Sequence, residues 1–303
     1  MGSELMTGRL ERLFTGTVWA EGPVWVPSSQ TVRWSDIPND RILEFHPATG
    51  MTREYATAVE FTNGRTLDAD GSLVQCSHGQ RRVERDREGT VTALVDSFRG
   101  RRLNSPNDVV TARDGTIWFT DPPYGILPGT VEGHEGVQEY GGCYVFRYEP
   151  ATDTLTDVIK DLVHPNGLAF SPDESVLYVA DTAGPSHGVP LRIAAYDVTN
   201  GACSPRGSFI EFDDDHPADG LRVDPEGRIW TSAGPSVQVY SPSAELLATV
   251  RLPERVSNLC FGGPDGHDLY ITATTSLYRI RTRTRDAAQR TNPTGGSGPR
   301  PQN

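Results

Sequence analysis

Six segments of the chain can be laid over one another, and that repeat constrains the fold more than any other feature. They are "EGPVWVPSSQTVRWSD" from Glu21, "NGRTLDADGSLVQCS" from Asn63, "NDVVTARDGTIWFTD" from Asn107, "NGLAFSPDESVLYVAD" from Asn166, "DGLRVDPEGRIWTSA" from Asp219 and "NLCFGGPDGHDLYITA" from Asn258. Consecutive openings lie 39 to 59 residues apart. Each segment reads as two short strands separated by a turn. A third strand follows, as in "RILEFHP" and "CYVFRYEP", then a weaker fourth, as in "TLTDVI" and "LLATVRL". A repeat of this length with several strands per unit marks a propeller. The prediction is an all-β, six-bladed β-propeller, with four-stranded antiparallel blades around a central channel. A ring is needed because one blade cannot bury both of its faces. The last unit lacks a fourth strand, and "RLERLFTGTV" ahead of Glu21 supplies a spare one that closes the circle. Residues 9–285 are read as this single domain. Residues 1–8 are read as a flexible N-terminus, and 286–303, without apolar periodicity, as a disordered tail.

The first strand of each blade lines the channel, so the opening residues form a column facing the axis. Glu21, Asn63, Asn107, Asn166, Asp219 and Asn258 all carry a side-chain oxygen. Turn chemistry suffices for Asn63-Gly64 and extends to Asn166-Gly167 and Asp219-Gly220. It does not explain Glu21, Asn107-Asp108 or Asn258-Leu259. Carboxylates and amides crowded at one end of a channel repel one another unless a cation sits among them. A hard dication takes that mixture of oxygens. Two anions, Glu21 and Asp219, balance its charge. The expected cofactor is one divalent cation, Ca²⁺ first, with Zn²⁺, Mg²⁺ and Mn²⁺ as alternatives.

With 40 acidic against 28 basic residues, the net charge is −12. That argues against nucleic acid or an anionic membrane as partner. No apolar run approaches the roughly 20 residues of a membrane-spanning helix. The N-terminus has neither the basic start nor the apolar stretch of a secretion signal. Four scattered cysteines, 76, 143, 203 and 260, suit small buried hydrophobes in a reducing compartment. The expectation is a cytoplasmic protein, a monomer or weak dimer, acting on a small molecule.

"AEGPVW" (20–25), "LNSPNDVV" (103–110), "HPNGLAFSPD" (164–173) and "ADGLRVDPEGRIW" (218–230) together resemble the gluconolactonase/regucalcin (senescence marker protein) family of lactonases. The resemblance spans roughly residues 10 to 282. It implies a six-bladed propeller with one catalytic dication on the axis, held by Glu21, Asn107, Asn166 and Asp219. It also implies hydrolysis of a sugar lactone, with Asp219 as the base that activates water. Asn63 and Asn258 fall outside the family's usual ligand set and are assigned a place behind the ligands or facing substrate. The regucalcin branch carries an Arg for sugar contact two residues before the ligand matching Asn107. This chain has Ser105 there, and its "NSPND" form is closer to bacterial gluconolactonases.

Loops that follow second strands return to the same face. They bring His78, Asp121, Tyr124, His134 and His187 near the column, and the long glycine-rich run 121–142 reads either as a lid over the site or as a disordered loop. Tyr124, His78 and Asp121 are candidate substrate contacts, and His78 or Asp121 is an alternative base to Asp219. Arg101, with Arg102, is a candidate partner for a sugar-acid carboxylate. Two other functions fit the same scaffold: an organophosphate hydrolase of the diisopropyl-fluorophosphatase type, and a non-enzymatic propeller that binds partners around a structural cation. The sequence holds no convincing Gly-x-Ser-x-Gly nucleophile motif, and no Gly-rich phosphate loop. The polar loops favour the sugar lactone.

Overall fold

The computed structural model describes residues 4–288. Six four-stranded antiparallel sheets form the blades of a propeller. The inner strands are Ala20–Val26, Thr62–Leu67, Val109–Thr111, Pro165–Phe170, Leu221–Val223 and Val256–Gly262. Each inner strand touches the next around the ring, and the last returns to the first. Glu11–Thr15 pairs with Ser276–Arg281 as the fourth strand of blade 6, so the N-terminal segment closes the circle. Among the described residues the only helical pieces are three single 3₁₀ turns. No helix among them is long and apolar enough to cross a membrane.

Of the eight N-terminal residues, Met6 bridges to Thr282, and the Thr7 amide donates to the carbonyl of Arg281. At the other end the Ala287 amide donates to the carbonyl of Val223, while 289–303 lie outside the described residues. Cys76, Cys143, Cys203 and Cys260 are all unpaired, and all but Cys203 are buried.

Apolar side chains fill the wedges between neighbouring blades. Trp230, Phe261 and Leu269 join blades 5 and 6, and Trp25, Trp34 and Tyr270 join 6 and 1. The junction of blades 1 and 2 differs. Its apolar part centres on Val24, Val26 and Leu73. Beside it Arg33 meets Glu44 at 2.8 Å, lies 3.9 Å from Asp86 and stacks over Tyr55.

The opening residues sit where the β-ladder is interrupted. In blades 1, 2, 4 and 6 the inner strand carries one extra residue against its partner, beside or at Glu21, Asn63, Asn166 and Asn258. In blades 3 and 5 regular pairing begins at Val109 and Leu221, two residues past Asn107 and Asp219. Bulges re-aim a side chain out of the pleat, and here they turn the column toward the axis. The glycines beside it serve close approach as well. Gly64 donates to the Asn107 carbonyl at 2.8 Å, and Gly167 to the Asp219 carbonyl at 3.2 Å, each bond crossing to the next blade. Only Gly22 in this series has a positive φ, +51°. The Asn-Gly pairs therefore seam the inner ring, where turn geometry alone would leave the blades unjoined.

Candidate active site

One mouth of the channel opens into a cavity of about 250 Å³ whose wall includes Glu21, Asn63, Asn107, Asn166 and Asp219, with Tyr124 beside them. Five of the six column residues thus share one pocket. The sixth, Asn258, lies behind it and donates through Nδ2 to Glu21 Oε2 at 3.0 Å. The Gly22 amide donates to the same oxygen.

Asp219 is held at its backbone, where the amide donates to Ser232 Oγ at 2.7 Å. Among the described residues no hydrogen-bond donor reaches its carboxylate. Asn166 Nδ2 lies 3.4 Å from Thr182 Oγ1, which is also bonded to the Tyr124 hydroxyl. That arrangement leaves Asn166 Oδ1 free of Thr182. The Asn107 side chain has no protein partner among the described residues, while its backbone is held at both ends by Thr120 and Gly64.

The electrostatics ask for positive charge. Burial, then the nearby Asp108, holds the Glu21 carboxyl well above the usual range. Burial, then Glu21 and Asp108, does the same to Asp219. Asp108 is itself buried, and its nearest cation, Arg222, stands 3.8 Å away. The carboxylates of the buried Glu21 and Asp108 and of the half-buried Asp219 thus repel one another, which is costly unless a cation joins them. Among the described residues no three His, Cys, Asp or Glu side chains gather into a metal cluster. The donors at the pocket are carboxylate and amide oxygens, which suit a hard dication and not a soft metal that seeks thiolate or imidazole. The residues present fit the cation that the sequence implied.

The remaining sequence candidates fall elsewhere. Arg101 lies in a short hairpin, Ser97–Phe98 with Arg101–Arg102, and donates to the Glu139 carbonyl at 2.7 Å; it lines a different depression with Phe98 and Tyr140. Asp121 is buried and accepts from the Asn104 amide at 2.7 Å and from the Tyr140 hydroxyl. His78 is buried behind Asn63. None of the three is on the pocket wall. His134 pairs with Glu60 at 3.0 Å, and His187 packs on His164 at 4.6 Å. The loop 121–142 is tied down: Gly125 donates to Ser105 Oγ at 2.9 Å, and Ser105 donates to the Pro122 carbonyl.

The wall also holds Trp19 and Arg255, to which the sequence gives no role, and Glu132 and Thr182, which come from loops that follow second strands. Trp19 and Arg255 stand two and three residues ahead of Glu21 and Asn258. A signal was therefore present: the residues leading into each inner strand cross the rim of the same mouth.

A six-bladed propeller with an acid-and-amide pocket at one channel mouth defines a class of proteins that bind small molecules on the axis. Within that class the chain belongs to the SMP-30/gluconolactonase/LRE-like family, whose model matches residues 19–275. It is 32% identical to a gluconolactonase of Zymomonas mobilis, covering 91% of this chain and 82% of that one. It is 31% identical to a pentonolactonase of Haloferax volcanii, covering 83% and 80%. A solved gluconolactonase structure from Xanthomonas campestris superposes with a TM-score of 0.86 at 37% identity, over 92% of this chain and 91% of that one.

Proposed function

We propose that this chain hydrolyses the lactone of a sugar acid in the axial pocket, with a divalent cation held by Glu21, Asn107, Asn166 and Asp219. The observation that carries the reading is the pair of like-charged carboxylates, Glu21 buried and Asp219 half-buried, that open onto one cavity beside two asparagine amides; the lactonases among its relatives supply the substrate class. Ca²⁺ suits this donor set best. When bound, the cation polarises the lactone carbonyl and offsets the negative charge that develops on its oxygen.

The chain's own residues supply the rest. Asp219, whose carboxylate no protein donor occupies, takes the proton of the attacking water. Asp121 and His78 are buried behind the wall and line no part of the cavity, so Asp219 is the better placed base. Thr182 and Tyr124 turn the Asn166 amide so that its oxygen is available at the wall. The carboxyl, amide and hydroxyl groups on the wall can hydrogen-bond a hydroxyl-rich ring and have no such partner in the alkyl groups of an organophosphate.

The test is an indicator assay of proton release with a panel of aldonolactones. Turnover is expected to disappear after chelation and to return with one or more of Ca²⁺, Mg²⁺, Mn²⁺ and Zn²⁺. Full activity in excess chelator would remove the cation from the account; no turnover of any lactone under any cation would remove the substrate class. Arg101→Ala is expected to change kcat/KM by no more than about twofold, the ordinary effect of a surface substitution. A loss beyond tenfold would place Arg101 at the substrate after all.

A further inference from the structure

Behind the pocket wall runs a line of hydrogen bonds that the ligand set does not use. His78 is fully buried, with Nδ1 2.9 Å from the backbone oxygen of Glu132 and Nε2 3.1 Å from Nδ2 of Asn63. A carbonyl oxygen only accepts, so Nδ1 carries the proton. Burial lowers the imidazole's proton affinity, to a pKa of about 4, and keeps the ring neutral near pH 7. A neutral ring has one N–H, so Nε2 accepts, and the group it accepts from is the amide nitrogen of Asn63. The amide is thereby locked with its oxygen turned away from His78. That oxygen, Oδ1, is buried and has no protein partner, on a residue that lines the pocket. An acceptor left empty in a buried wall is unfavourable, so its donor belongs to whatever fills the cavity.

We infer that Asn63 Oδ1 accepts a hydrogen bond from a hydroxyl of the bound lactone, and that His78 is the positioning residue that holds the amide in this orientation. The inference rests on the lactonase reading given above. His78 also braces the neighbouring loop. A Cβ on Gly125 would come within 2.6 Å of the His78 Cβ, so this loop lies directly against the residue. One side chain therefore sets both the acceptor and the loop that brings Tyr124 and Glu132 to the wall.

Two replacements separate the two bonds. His78→Asn keeps an amide N–H near the Nδ1 position for Glu132 but leaves Asn63 Nδ2 without an acceptor. His78→Gln reaches the Nε2 position with an acceptor and gives up the Glu132 bond. His78→Asn is expected to raise KM for a polyhydroxylated aldonolactone about tenfold while kcat changes far less, the signature of binding lost equally from ground and transition states. Asn63→Ala should do the same, the double variant should be no worse than either single one, and His78→Gln should recover most of the loss. Ca²⁺ affinity, measured by calorimetry on substrate-free protein, should be unchanged in Asn63→Ala. Additive effects, an unmoved KM in Asn63→Ala, or a weakened Ca²⁺ affinity there would each overturn the inference. Should His78→Asn fail to fold, a long-range ¹H–¹⁵N spectrum of the wild-type protein decides the orientation. The Nδ1–H tautomer supports it, and the Nε2–H tautomer overturns it. Wild-type protein inert toward every lactone would defeat the lactonase reading and this inference together. Active wild-type protein with a KM indifferent to Asn63→Ala would defeat this one alone.

Discussion

Asp219→Asn and Glu21→Gln will each abolish most lactone turnover and, in chelator, raise the melting temperature. The two effects have one cause. Glu21 is buried and Asp219 half-buried, and each carboxyl is pushed above its ordinary range by burial and by neighbouring carboxylates. On the proposed reading, removing one charge takes away half of the anionic pair that would hold the cation. Electrostatic help from a catalytic metal is worth several kcal/mol, and about 1.4 kcal/mol is a factor of ten, so kcat/KM should fall on the order of 10³-fold. In the metal-free protein the same change relieves a buried repulsion. A gain of ~1–3 kcal/mol is expected, worth about 2–4 °C per kcal/mol in a large domain. The pH dependence has a definite sign. Above an ordinary glutamate value of about 4.5, these two carboxyls bind more protons in the folded metal-free protein than in the unfolded chain. Their contribution to stability is therefore greatest below that value and falls as pH rises through the raised carboxyl range, against an opposite slope from the buried His78 below about 6.5. Saturating cation should flatten this slope, and either variant should reduce it. Scanning calorimetry from pH 5 to 8, with and without chelator, checks each statement. A wild-type stability that rises with pH above about 6.5 in chelator, or a variant with full turnover, would show that the pair is not under electrostatic tension.

The column was legible because the repeat sets one chemistry at one strand position six times, and the inner strand of a propeller can point that position only at the axis. Glu21, Asn63, Asn107, Asn166 and Asp219 share a pocket for that reason. Arg255 and Trp19 escaped because they precede the aligned segments, where the repeat stops constraining residue type. Glu132 escaped because it lies in a loop without periodicity. Arg101 stands away from the pocket for a related reason: nearness in sequence to Asn107 suggests nearness in space, but the 97–102 hairpin pairs with Glu139. The position of His78 behind Asn63 depends on a loop carbonyl 54 residues further along the chain, a contact that no local pattern encodes. The recurrence of glycine beside the column is legible in the sequence, but at Gly64, Gly167 and Gly220 its physical reason is the close approach of the next blade and not turn geometry.

That last point carries the largest expected effect on the fold. Gly167→Ala will destabilise the protein by more than the ~1–3 kcal/mol typical of overpacking, and will cost activity beyond what unfolding explains. A Cβ at Gly167 would overlap the Asp219 carbonyl oxygen and lie 2.8 Å from the Gly220 Cα. Both are backbone atoms of the next blade, so no side chain can swing aside. The inner strands must part, and the bond from Gly167 to the Asp219 carbonyl is lost with them. Displacing that carbonyl moves the Asp219 side chain, which couples ring packing to the site. Gly115→Ala is the control: its φ is +85° with open space around it, so it should suffer only the backbone strain of about 1–2 kcal/mol. Thermal denaturation of both variants, with kcat/KM measured at a temperature where each remains folded, separates the two costs. If Gly167→Ala melts with Gly115→Ala and keeps its turnover, the blades have slack at the axis, and the spacing of the inner ring does not set the geometry of the pocket. If it melts well below and loses turnover while folded, the residue beside each ligand matters as much as the ligand, because it fixes how near the next blade can come.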